Sequence, residues 1–190
     1  MTPIGQREKK TQQRVVQLFR DTLDYRYLGN WEEREGVDGK GNRNIEPDLL
    51  RAWLKQQGKA DALIGKVLYE LDKAAGDTSK SLYDRNRAVY DLLRYGVKVR
   101  PDVGENTVTV WLVDWKQPER NDFAIAEEVT VAAAGAKAHD KRPDVVLYVN
   151  GIALAVLELK RSIVSVAEGI RQNLDNQKKE FIQPFFSTMQ

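Results

Sequence analysis

Apolar and polar positions are most tightly ordered near the end of the chain, where Lys141 to Arg161 reads KRPDVVLYVNGIALAVLELKR, two apolar runs with charge only at their outer ends. Asn150-Gly151 separates the runs, and an Asn-Gly pair between apolar segments is the strongest short-range hairpin signal. The pattern predicts a β-hairpin with strands from Asp144 to Val149 and from Ile152 to Lys160. Val145, Leu147 and Val149 alternate with Val146 and Tyr148, so both faces are apolar. Such strands belong inside a sheet covered on both sides.

Elsewhere the period changes. Val15, Val16, Phe19 and Leu23 recur at helical spacing and predict an amphipathic helix from Gly5 to Leu23 lying on the sheet. Gly29 to Asn44 has no period and reads as a loop, with EERE as a solvated face. Helices are predicted from Glu46 to Gln57, with Pro47 in the first turn, and from Asp61 to Ala75 before Gly76. A third runs from Ser81 to Tyr95 and ends at Gly96, with Arg85, Arg87 and Arg94 as its wet face. Thr107 to Trp115 and Asp122 to Val131 read as strands. A long last helix is entered through Ser165-x-x-Glu168, which has the form of a capping box. The fold class expected is α/β, a mixed central β-sheet flanked by helices, with a helical insertion at about 46–95. The whole chain, 1–190, then forms one domain whose core spans about 97–190 plus the N-terminal helix.

The hairpin gathers charge at its open end. Strand geometry puts Glu158 and Lys160 on one face, because side chains repeat every two residues. Asp144 enters the first strand at the same end. Register decides whether the two carboxylates meet. A strict two-residue turn pairs Val149 with Ile152 and hence Asp144 with Leu157, which leaves Asp144 and Glu158 on opposite faces. A bulged or three-residue connection, with Gly151 left-handed, slips the pairing by one and reunites them. Ionisable groups ending an apolar sheet are costly to bury without a role. Read alone, the trio is explained more simply by an ion pair, Glu158 with Lys160 or Arg142, closing a sheet edge.

Composition narrows the classes. With 190 residues, 42% of them hydrophobic, the chain suffices for one domain of ordinary size. Its net charge of +2 is too small to announce nucleic-acid binding, so any DNA footprint must be local. There is no cysteine, which excludes disulfides, thiolate metal sites and cysteine nucleophiles. No apolar run is long enough to cross a bilayer, the N-terminal residues lack the core of a secretory signal, and a cytoplasmic location is expected. No GxxxxGK[ST] phosphate loop occurs, so ATP hydrolysis is not assigned to these residues. His139 stands alone in a polar loop, without a metal-ligand partner at useful spacing.

Pro143-Asp144, followed after the hairpin by Glu158-Leu159-Lys160, resembles the PD-(D/E)xK nuclease motif. The wording RPDVVLYVNGIALAVLELKRS with AEGIRQNLDNQKKEFIQPFF is similar to the N-terminal nuclease domain of type I restriction enzyme R subunits. LLRYGVKV and FAIAEEV extend the likeness over most of the chain. The resemblance implies a restriction-endonuclease-like core and a Mg²⁺-dependent endonuclease acting on double-stranded DNA. Asp144, Glu158 and the Leu159 carbonyl would hold the metal, hard oxygens suiting Mg²⁺. Lys160 would orient the attacking water or stabilise charge at phosphorus. Gln172 matches the glutamine of a QxxxY element near the scissile phosphate, with Asn176 in place of the tyrosine. Gln177 followed by Phe181 is a second, imperfect match. The resemblance also points to Glu8 as an acidic residue offered by the first helix.

Lys137, Lys141, Arg142 and Arg161 flank the open end and are candidates for DNA phosphate contact, against ordinary surface charge among 30 basic residues. Family R subunits couple the nuclease to an ATP-driven translocase that would lie beyond Gln190, so the chain is expected to be a fragment, truncated at its C-terminus. Methyltransferase and specificity subunits are the implied partners. The competing function is a non-catalytic DNA-binding or docking module linking a translocase to the methyltransferase core.

Overall fold

A computed structural model describes residues 3–35, 41–133, 140–160 and 165–190, with side chains from Lys9 onward in the first helix. The described elements are α1 (Pro3–Gln17), continued by a π-helical turn (Leu18–Thr22), then β1 (Arg26–Asn30), α2 (Pro47–Gln56), α3 (Asp61–Gly76) and α4 (Leu82–Tyr95). After them come β2 (Val97–Val99), β3 (Val108–Val110), β4 (Phe123–Glu127), β5 (Val145–Val149), β6 (Ile152–Leu157) and α5 (Val166–Asn176). A 3-10 turn, Gln183–Thr188, ends the chain.

The sheet is mixed, as expected. Its order is β1-β4-β5-β6, with β1 parallel to β4 and the remaining pairs antiparallel. Both faces of the hairpin are covered. Val145, Leu147, Ile125 and Leu157 pack against Val16 and Phe19 of the first helical segment. Nearer the turn, Val149, Ile152 and Leu154 join the cluster built by α2, α3 and α4 around Leu50, Ile64 and Leu71. On the opposite face Val146, Tyr148 and Ala153 meet Ile182, Phe185 and Phe186.

The turn differs from the predicted connection. Val149 pairs directly with Ile152, and Asn150 and Gly151 have φ of 53° and 82°, the two-residue loop that suits twisted strands. The slip occurs inside β6 instead: Tyr148 faces Ala153 and Leu147 faces Ala155, leaving Leu154 as the extra residue of a bulge. Packing explains the position. Gly151 is pressed on the start of α2, where a Cβ would lie 2.7 Å from Leu49 Cβ and 2.8 Å from the Leu50 nitrogen. The Glu46 amide donates to the Gly151 carbonyl at 2.8 Å. The fully buried Asn150 side chain donates to the Leu112 carbonyl and to Asn121 Oδ1, and accepts from the Asp122 amide. A turn clamped on both sides has no room for a third residue.

Three further expectations change. Arg26–Asn30 is a strand, although its five residues show no apolar alternation. The predicted strand at Thr107 to Trp115 shortens to β3, which pairs with β2 in a separate two-stranded ribbon. Two arginines turn inward. Arg34, in the EERE run, makes a bidentate pair with Glu46 at 2.8 and 3.0 Å and lies 3.8 Å over the Trp31 ring. Arg85, 2% exposed, donates to Gln183 Oε1 at 2.8 Å.

Candidate active site

The open end of the hairpin is built by backbone pairing that carries on beyond the strands. Past β4, the Glu128 amide donates to the Asp144 carbonyl at 2.9 Å and the Val129 amide to the Pro143 carbonyl at 3.0 Å. Pro143 and Asp144 are therefore held at the sheet's edge before β5 begins. After the bulge Val145 pairs with Leu157. Both strands end at this pair, and the same register continued one step further would bring Asp144 level with Glu158. Directly opposed residues in an antiparallel pair have Cβ atoms about 4.5–5.5 Å apart. The Leu159 amide donates to Asp144 Oδ2 at 2.6 Å and fixes that carboxylate across the gap.

Glu158 is held from the other side. Ser165 caps α5, its hydroxyl accepting from the Ala167 amide at 3.2 Å. Two turns on, Gln172 Nε2 donates to Glu158 Oε2 at 2.7 Å, and Asn176 Nδ2 reaches Glu158 Oε1 at 3.3 Å. Asn176 is 2% exposed, and its Oδ1 is buried without a hydrogen-bond partner. Thus the residue standing where the motif has tyrosine does touch the site. Its signal in the sequence is its spacing, one helical turn beyond Gln172.

Burial pushes the Glu158 carboxyl up to about 7; the Asp144 charge adds to the rise, while Lys160 and Lys141 oppose it. Two carboxylates that repel one another in a partly dry setting attract a hard cation. Among the described residues no group of three or more acidic or histidine side chains forms a metal cluster. The carboxylates of Asp144 and Glu158 and the Leu159 carbonyl are hard oxygen donors, the type that would suit Mg²⁺.

Asp144, Leu159 and Lys160 line a cavity of about 500 Å³ between α1 and the sheet. Glu158 does not line it; its carboxyl is turned toward α5. Across the cavity stand Lys9, Gln12 and Gln13 of α1 and Glu127 and Glu128 from the end of β4. Gln12 donates to Glu127 Oε2 at 3.0 Å, and the Tyr27 hydroxyl donates to Glu127 Oε1 at 2.5 Å. These two glutamates carry the same signal in the sequence as Glu158, acids placed where an apolar strand stops. Arg142 is ion-paired with Glu32 and, at 2.8 Å, with Glu128. Lys141 Nζ sits 4.0 Å over the Phe181 ring. Lys137, His139, Arg161 and the side chain of Glu8 lie outside the described residues.

The family model for the N terminus of type I restriction enzyme R proteins matches residues 5–190. A type I restriction enzyme HindI endonuclease subunit from Haemophilus influenzae is 28% identical over 168 residues, 85% of this chain and 15% of that protein. A putative type I restriction enzyme MjaIXP endonuclease subunit from Methanocaldococcus jannaschii is 33% identical over 78 residues, 40% of this chain and 8% of that protein. The chain thus spans a small part of the length of these relatives. With a family model covering nearly all of it, this chain belongs to the N-terminal family of type I restriction enzyme R proteins.

Proposed function

We propose that this chain is the Mg²⁺-dependent endonuclease domain of a type I restriction enzyme R subunit, hydrolysing phosphodiester bonds of double-stranded DNA. The observation that supports the reading is the β6 bulge, whose register, continued one step past Val145 and Leu157, would bring Asp144 level with Glu158, beside a cavity lined by Asp144 and Lys160. Asp144, Glu158 and the Leu159 carbonyl would hold the ion. Once bound, the ion would polarise the scissile phosphate and lower the pKa of an attacking water. Lys160 supplies a compact positive charge beside that water or the phosphoryl oxygens. Gln172 and Asn176 orient Glu158 and favour its charged form through their hydrogen bonds. Lys141, Arg142 and Arg161 are the proposed phosphate contacts, positioning DNA without reading bases. For Arg142 this means leaving Glu32 or Glu128.

In the full assembly the domain would work beside methyltransferase and specificity subunits, with ATP used by a motor region outside this chain. The test is to place Asp144→Ala or Glu158→Ala in the full-length subunit and measure cleavage of supercoiled plasmid beside ATP hydrolysis. Cleavage should fall at least a hundredfold with ATP hydrolysis retained, because the carboxylates serve only the cutting chemistry. Loss of both activities would assign the carboxylates a structural role. Retained cleavage would leave a docking module as the better reading.

A further inference from the structure

At the turn end of the hairpin, away from Asp144 and Glu158, a second cavity of about 460 Å³ opens between α2, the end of α4 and the segment after β3. Of the four tryptophans in the chain, three line it: Trp53, Trp111 and Trp115. Trp53 is 3% exposed and forms the floor, its indole N–H donating to the Arg120 carbonyl at 2.9 Å. Trp111 and Trp115 are 49% and 51% exposed. Ordinary packing buries rings of this size, so two half-exposed indoles in one groove call for an occupant.

Each exposed ring has a neighbour within the protein. The Trp115 N–H donates to the Leu93 carbonyl at 2.9 Å, so its polar edge is used within the protein. Trp111 is seated on Gly96, where a Cβ would come 3.5 Å from its ring and 2.5 Å from Thr109 Cγ2. Indoles that rest on such neighbours and keep free faces lose little entropy when a flat ring stacks on them.

Charge selects the kind of ligand. Lys59, Arg94 and Lys116 surround the groove, and the Arg94 guanidinium lies 5.9 Å from the Trp115 ring centroid and 6.0 Å from that of Tyr95. Against these cations stands one carboxylate, Asp114. It is turned inward, accepting the Lys116 and Gln117 amides at 3.1 and 3.0 Å and lying 3.6 Å from Arg120. Aromatic faces interleaved with cations fit a polyanion that exposes flat rings. Duplex DNA hides its rings in the stack, and a proline-rich peptide leaves the cations unused.

We propose that this groove binds single-stranded nucleic acid, bases stacking on Trp111 and Trp115 while Lys59, Arg94 and Lys116 hold the phosphates. The loop bearing the two tryptophans is tied to the hairpin turn through Asn121 and Asn150. The groove is therefore a rigid extension of the sheet, and it does not depend on the carboxylates at the other end.

The test titrates the chain with labelled oligothymidylate of about eight nucleotides in the presence of EDTA, so that metal-dependent binding is absent. Tryptophan emission should be quenched and binding should saturate. Trp111→Ala and Trp115→Ala should each weaken binding about tenfold, and Trp111→Phe should retain most of it. The exposed pair Lys59→Ala with Lys116→Ala should flatten the salt dependence of log K by about 1.4 units per decade, roughly 0.7 for each phosphate that is no longer neutralised. Circular dichroism identifies any tryptophan variant that fails to fold, and the lysine pair then decides. Affinity unchanged in the lysine pair, equal binding of duplex of the same length, or displacement of the oligonucleotide by a proline-rich peptide would each overturn the proposal.

Discussion

Glu158 is placed where burial and the Asp144 charge both oppose its ionisation, with Lys160 and Lys141 pulling the other way. Its value of about 7 in the folded chain lies above the ordinary 4.5, so folding favours the protonated form. That contribution to stability is fully present below about pH 4.5 and is lost as the pH rises through 7. Glu158→Gln keeps the size and removes the charge. In urea denaturation at pH 8 the variant should be more stable than the parent by on the order of 1–2 kcal/mol, allowing for solvent screening, and near parity at pH 4. The same difference at both pH values would mean that the Glu158 charge is already neutralised. The hairpin was legible in the sequence because strand periodicity is a local rule, although its second strand stops at Leu157 and does not run on to Lys160. The inward turns of Arg34 and Arg85 were not, since what gives each its role is a partner 12 and 98 residues away, and for Asn176 only the spacing from Gln172 was visible, not its contact with Glu158 18 residues away.

At the scale of the element, the hairpin shows where local rules stop. Asn150-Gly151 specifies the turn, and its left-handed φ values follow from those residue types. The extra residue appears at Leu154 because the turn is already locked against α2 and Asn121, facts of packing that the sequence does not display. The boundaries of α2, α3 and α4 were readable from Pro47, Gly76 and Gly96. β1 was not, because its strand character comes from pairing beside β4. Two length changes test the bulge. Deleting Leu154 leaves Leu147 with Ala155 and keeps the register that would bring Asp144 level with Glu158, so divalent-ion binding should persist at a cost of about 1–3 kcal/mol for the reduced packing. Inserting one alanine between Ala155 and Val156 carries Glu158 to the other face and should abolish binding in a chain that still folds. Manganese titration of both variants checks this, and equal binding by the two would reject the register argument.

Over the whole molecule, the sheet is the spine between two different ends. Its turn end is packed into the α2–α4 cluster and carries the tryptophan groove, while its open end meets α1 and α5 around the carboxylates. Among the described residues no helix is long and apolar enough to cross a membrane. The central claim is that Asp144 and Glu158 together hold one divalent ion, and calorimetric titration of Mn²⁺ into the chain at pH 7 tests it most directly. Repeating the titration in buffers of different ionisation enthalpy counts the protons released. The parent should bind one ion with release of about half a proton, since a carboxyl with a value of about 7 must ionise to take part. Asp144→Ala should lose at least tenfold in affinity, and Glu158→Gln should lose both affinity and the proton release. Parent, Asp144→Ala and Glu158→Gln binding alike, with no proton released, would contradict the assignment.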